Sequence, residues 1–164
     1  MKIVIASNNI KKIKELKDIL SSYDIEIESL SDKDNIEVEE TENTFIGNAT
    51  LKALTIAKHT NLVALADDSG LCVDALNGAP GIYSKRYSGF GDKENNTKLL
   101  NELLNAENRK AHFNATICLA FPDGKVFTSV GIMNGTINQQ EVGENGFGYD
   151  CIFYSYDLKQ SFGR

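Results

Sequence analysis

Five consecutive apolar residues, Leu62-Val63-Ala64-Leu65-Ala66, run without a break into Asp67-Asp68-Ser69-Gly70. No other feature constrains the fold as tightly. A strand with one wet face alternates apolar and polar residues, whereas a short unbroken apolar run is covered on both faces. The run therefore predicts a central strand in a sheet flanked by helices. Its acidic quartet then stands at the carboxyl end of that strand, where ligands of open α/β sheets bind.

The flanking sequence supplies the helices. Ile3–Ala6 is a short apolar strand ending in the polar turn Ser7-Asn8-Asn9, and apolar residues then recur at Ile10, Ile13, Leu16, Ile19 and Leu20 with lysines opposite. Thr44 is a good N-cap for a second helix carrying Phe45, Ala49, Ala53, Ile56 and Ala57 on one face. Residues 78–91 read as an ordered glycine-rich loop, and Asp92 is expected to cap a third helix with Leu99, Leu100, Leu103 and Leu104 as its apolar face. Phe113 to Phe121 alternates as a strand, with Phe113, Ala115, Ile117 and Leu119 apolar, and Pro122-Asp123-Gly124 turns it into a partner over Lys125–Met133. A last strand is expected at Cys151–Tyr154. With 164 residues and no linker or repeat, the expectation is a single mixed α/β domain over 1–164.

Charge narrows the function. A net charge of −6 excludes the broad basic footprint that sequence-independent nucleic-acid binding needs. No apolar run approaches the length of a membrane span. Three widely spaced cysteines, Cys72, Cys118 and Cys151, suggest neither a disulfide scaffold nor a zinc site, and a reducing cytosol suits them. An anionic ligand would have to be held by a local cluster of donors with a metal.

Four segments can carry such chemistry. Where the first strand breaks into its helix, Ser7, Asn8 and Asn9 with Lys11 and Lys12 offer donors for phosphate, although an ordinary capped helix start looks the same. The G-x-x-x-x-G-K-[ST] spacing of a Walker loop is absent. Asp67 and Asp68 can hold a hard divalent cation; neighbours on a strand point to opposite faces, so one meets the ligand and the other supports it. One glutamate of the run Glu37-Val38-Glu39-Glu40-Thr41-Glu42 can complete that metal site, or the run is a solvated face. Gly143–Asp150 places three glycines around Phe147 and Tyr149, which suits close approach to a flat base, or a plain loop. His59 and His112 read as structural, and no nucleophile elbow or D-x-D-x-T motif is present. A hydrolase made of these parts uses activated water.

Together the segments resemble the inosine/xanthosine triphosphate pyrophosphatase family. Its opening T/S-x-N-x-x-K-x-x-E is met by Ser7, Asn9, Lys12 and Glu15. Its helix motif is met from Glu39-Glu40-Thr41 through Thr44-Phe45, Asn48-Ala49 and Lys52-Ala53. The blocks 65–71 and 78–84 with Arg86-Tyr87 match its most distinctive region, and Gly146–Asp150 matches its base-pocket loop. The likeness spans essentially the whole chain.

The resemblance implies an ITPase-like, anticodon-binding-like α/β fold with a central twisted sheet flanked by helices. It implies Mg2+-dependent hydrolysis of ITP, dITP or XTP to the monophosphate and pyrophosphate by a cytoplasmic homodimer. Carried over by position, Glu40 and Asp68 ligate magnesium and Asp68 is the base that aligns water. Ser7, Asn8, Asn9, Ile10, Lys11, Lys12 and Lys52 hold the triphosphate, Ser69 the substrate, and Phe147, Gly148, Tyr149 and Asp150 the base. Three features depart from the pattern: Gly47 stands where glutamate is usual, Cys151 stands where proline is usual, and the family's C-terminal segment with its Ser-His-Arg motif is expected to be missing. Two alternatives remain open on the sequence: a non-catalytic nucleotide-binding module, and a pyrophosphatase for modified pyrimidine triphosphates.

Overall fold

The computed structural model describes residues 1–7, 9–30 and 38–163. Asn8 and Glu37, both singled out above, lie outside the described residues, as does Arg164. Strands β1 (Lys2–Ile5), β2 (Glu26–Ser29), β3 (Val63–Val73), β4 (Lys110–Ala120), β5 (Val126–Ile137), β6 (Phe153–Ser155) and β7 (Gln160–Ser161) join three helices, α1 (Ile10–Leu20), α2 (Phe45–Thr60) and α3 (Asp92–Glu102). The strands form one seven-stranded sheet in the order β2-β1-β3-β4-β5-β6-β7. β1 is parallel to β2 and β3, and β6 is antiparallel to β5 and β7, so the sheet is mixed. Among the described residues no helix is long and apolar enough to cross a membrane.

Residue contacts divide the chain into two compact units, Met1–Asp68 with Thr116–Val130, and Ser69–Ala115 with Gly131–Arg164. In the first, the alanine face of α2 (Ala49, Ala53, Ala57) with Ile56 packs on Val4, Ala6, Ala64, Ala66, Cys118 and Ala120. Such small side chains let a helix lie close to a sheet. The second unit is built on larger ones: Leu71, Val73, Leu99, Leu103, Ile152 and Phe153 are fully buried. There Phe113 meets Phe153 edge-on at 4.6 Å and stacks on Phe162 at 5.6 Å.

The α/β class and the β1–turn–α1, α2 and β4–β5 elements agree with the sequence reading; several details do not. β3 does not stop at Ala66 but runs to Val73, so Asp67 and Asp68 lie inside a strand. It can continue because Lys12 pairs with Asp67 and because Leu71 and Val73 are fully buried. In β4 the buried residues are Ala111, Thr116, Cys118 and Ala120, out of phase with the expected Ile117 and Leu119. The close-lying alanine face of α2 accepts the small residues and leaves no room for the large ones. On α1, Ile10 and Ile19 are exposed, and the half-buried face carries Lys12, Ile13, Leu16 and Leu20. Leu104 lies beyond the end of α3 and is exposed. Asp92 is the first residue of α3 rather than its cap, a place taken by Gly91. Residues 150–152 form a 3-10 turn, which delays β6 to Phe153.

Candidate active site

The first unit gathers most of the expected phosphate and metal residues. β1 and β3 pair in register through Ile5 and Leu65, and the Ala6 N–H still donates to the Leu65 carbonyl at 2.8 Å. Beyond that point β3 continues past the carboxyl end of β1, and its next residues include Asp67 and Asp68. At the start of α1 the Asn9 side chain accepts from the amides of Lys11 (3.1 Å) and Lys12 (3.4 Å). Those two N–H groups at the helix start are therefore occupied by the cap. The positive groups that reach the carboxylates are side chains. Lys12, one turn into α1, pairs with Asp67 Oδ2 at 2.9 Å.

On α2 the inward face brings Asn48 and Lys52 together, four residues apart and hence stacked one turn above the other. Lys52 Nζ lies 2.9 Å from Glu40 Oε1 and donates to the Asp67 carbonyl at 3.0 Å, tying the acidic segment to β3. Asn48, almost fully buried, accepts from the Glu42 N–H at 2.8 Å and so holds the same segment from its other side.

Asp68 is the electrostatic centre of the cluster. It is 5% exposed, and its pKa is pushed from 3.8 up to about 6, first by burial and then by the nearby Glu40 charge. Lys52, Asn48 and Lys12 pull in the opposite direction. Asn48 lies near enough to lower that pKa, yet its Nδ2 makes no formed hydrogen bond, and Asp68 Oδ2 is likewise buried without a partner. A buried carboxylate oxygen with nothing to accept from is costly unless a ligand completes it.

A divalent cation fits this donor set. Among the described residues no group of three or more His, Cys, Asp or Glu side chains gathers around a metal position. Mg2+ does not need one, since it binds through one or two carboxylates and takes waters and substrate phosphates for the rest. Asp68, with its open Oδ2, and Glu40 are the carboxylates that could hold it.

The second unit holds the remaining expected residues. Ser69 follows Asp68 on β3 and is half-buried. The 146–150 loop is tightly ordered: the Phe147 N–H donates to Asp150 Oδ2 at 2.9 Å, the Gly148 N–H donates to Asp92 Oδ2 at 3.0 Å, and Tyr149 is buried. Gly146 has φ +80°, and a Cβ there would stand 2.1 Å from Asp150 Oδ2, so only glycine lets the aspartate close the loop.

The structure thus brings Lys12, Glu40, Lys52, Asp67 and Asp68 into one cluster. Ile10 is exposed, as is Lys11, so neither side chain belongs to that cluster's interior. Asn48 joins that cluster, and its signal lies in the sequence: a polar residue on the otherwise alanine-rich inner face of α2, four residues before Lys52.

Comparison with known proteins adds an independent line. The model of the Ham1 family matches residues 3–164. A protein of Acholeplasma laidlawii named dITP/XTP pyrophosphatase is 47% identical over the whole of this chain and 82% of its own length. The structure of the Staphylococcus aureus Ham1 protein superposes with a TM-score of 0.89 at 44% identity, covering 99% of this chain and 85% of that one. A HAM1 protein from Coxiella burnetii gives a TM-score of 0.91 at 37% identity, covering 99% and 86%.

Proposed function

The chain belongs to the Ham1 family, and we propose that it hydrolyses deaminated purine nucleoside triphosphates to the monophosphate and pyrophosphate. The observation that carries this reading is the buried Asp68, with an unpartnered oxygen, set among Glu40, Lys12 and Lys52. An acidic protein that binds a polyanion needs this local arrangement of cations around a metal-ready carboxylate. The relatives named dITP/XTP pyrophosphatase support the substrate class.

The chemistry follows from the groups present. Water adds to the α-phosphorus, the bridging P–O bond to the β-phosphate breaks, and pyrophosphate leaves. In this reading Asp68 aligns the attacking water and takes its proton. Lys12 and Lys52 neutralise charge on the phosphates as it shifts toward the leaving group. Glu40 and Asp68 would hold Mg2+, which when bound would screen the triphosphate and polarise it toward attack. Binding would exchange the internal partners of both lysines for phosphate oxygens. Ser7 and Asn9 line the same end of β1, Ser69 contacts substrate, and Phe147–Asp150 take the base.

The non-catalytic alternative is not favoured, because relatives sharing nearly half their residues with this chain carry the name of an enzyme. The enzyme is cytoplasmic and homodimeric in this reading, acts on a free nucleotide and needs no nucleic acid. The test is a substrate panel of ITP, XTP, dITP, ATP, GTP and dTTP with Mg2+, followed by chromatography of the products. Inosine and xanthosine nucleotides should yield monophosphate well ahead of the others, and Asp68→Asn should abolish the reaction. Preference for dTTP, or turnover unchanged by Asp68→Asn, would refute it.

A further inference from the structure

The glycine-rich block at 78–87 and the start of α3 are not used by the chemistry above, yet side-chain hydrogen bonds tie them to each other and to the 146–151 loop. Asp92 and Asn96 lie four residues apart on α3 and face the same way. Between them they hold both peptide groups of Gly148. Asp92 Oδ2 accepts from its N–H at 3.0 Å, and Asn96 Nδ2 donates to its carbonyl at 3.1 Å. Asn96 also donates to Cys151 Sγ at 3.3 Å, so the residue standing in the family's proline position is part of the same clamp. Asn96 is buried and its Oδ1 has no partner. An apolar side chain would avoid that penalty, so the amide is retained for its donor side.

The same helix turn steadies a second loop. Asn95 accepts from the Ser88 N–H at 2.7 Å and donates to the carbonyls of Ser84 and Lys85 at 3.3 and 3.1 Å. Ser84 in turn accepts from the Leu71 N–H on β3 at 2.9 Å, and the Tyr149 hydroxyl donates to the Ser84 carbonyl. The 146–151 loop is therefore braced through Gly148 directly and through Tyr149 by way of Ser84.

We propose that Asp92 and Asn96 are positioning residues for the purine base, acting by holding Gly148 and with it the place of Phe147 and Asp150. The proposal rests on the reading that this loop takes the base, and goes beyond it in naming what sets the loop's geometry. A loop held through both backbone polar groups of one residue is organised before substrate arrives, so less ordering entropy is lost on binding. The clamp acts on the base and not on the phosphates.

Its test uses Asp92→Ala, Asp92→Asn and Asn96→Ala. Hydrogen exchange at residues 146–151 reads the loop, KM and kcat for ITP read the base, and competition by inorganic tripolyphosphate reads the phosphate site. Each alanine variant should speed exchange in the loop and raise KM for ITP by roughly tenfold, with kcat within about twofold of the parent. Tripolyphosphate inhibition should be unchanged. Asp92→Asn, which keeps an acceptor oxygen, should restore KM. Asp92 is exposed at the helix start, so its variant stays interpretable if Asn96→Ala fails to fold. Faster exchange with unchanged KM, or equal weakening of tripolyphosphate, overturns the proposal alone. Absence of ITP turnover by the unaltered chain overturns the functional reading and the proposal with it.

Discussion

At the scale of single residues, the cluster around Asp68 trades stability for binding. The folded pKa of about 6 lies above the ordinary 3.8. Asp68 therefore favours the fold fully below about pH 4, and that contribution is lost as pH rises through 6. The gap is worth about 3 kcal/mol. In EDTA, Asp68→Asn has no such charge to bury, so its stability relative to the parent should improve by up to about 3 kcal/mol between pH 4 and pH 7. Urea unfolding across that range measures it, and two parallel curves would contradict it. Lys52 makes a different demand, bridging Glu40 and the Asp67 carbonyl at 2.9 and 3.0 Å. Lys52→Ala should lower kcat for ITP by roughly a hundredfold, the usual loss for a donor aimed at developing charge. A steady-state comparison at saturating Mg2+ decides this. A change in KM alone would make Lys52 a ground-state contact. The sequence made Lys12, Lys52 and Asp68 legible through motif spacing. It could not show that Asn9 caps α1, because the same asparagine could equally have donated to phosphate.

At the scale of elements, α2 does the most positioning. Its N-cap Thr44 accepts from the Gly47 N–H at 2.9 Å, and Asn61 closes its other end with φ 55°. Gly47, where the family usually has glutamate, sits in that first turn. A Cβ there would lie 2.8 Å from both Glu42 Cβ and Thr44 Oγ1. Alanine would gain helix propensity, about 1 kcal/mol, but it would push against the capping hydroxyl and a backbone-proximal carbon. Gly47→Ala should therefore destabilise the chain by about 1 kcal/mol net, seen as a lower melting temperature. A rise would show that the 42–44 segment yields freely. Element identity was legible wherever periodicity was strong, as in α2. It failed on β4, where the expectation that large residues face inward met a helix whose alanines leave space only for Thr116, Cys118 and Ala120. β2 and β7 were not foreseen, since neither carries an apolar run of its own.

At the scale of the molecule, the mixed sheet and its order depend on pairings between segments far apart in sequence, which local pattern cannot specify. The α/β class was readable and the strand order was not. The first seven residues of β5 are exposed, with Val126, Phe127, Val130 and Ile132 among them. Val126 and Val130 point to the same face of the strand and are a candidate self-association surface for the proposed homodimer. Sedimentation velocity should show a dimer that Val130→Asp dissociates, while a monomeric parent would contradict the dimer. In the proposed mechanism Asp68 directs water onto the α-phosphorus of a deaminated purine triphosphate. Hydrolysis of ITP in 18O-water, with mass analysis of both products, tests this most directly. One 18O should appear in inosine monophosphate, none in pyrophosphate, and no labelled product should form with Asp68→Asn. Label in the pyrophosphate, or release of orthophosphate instead, would contradict it.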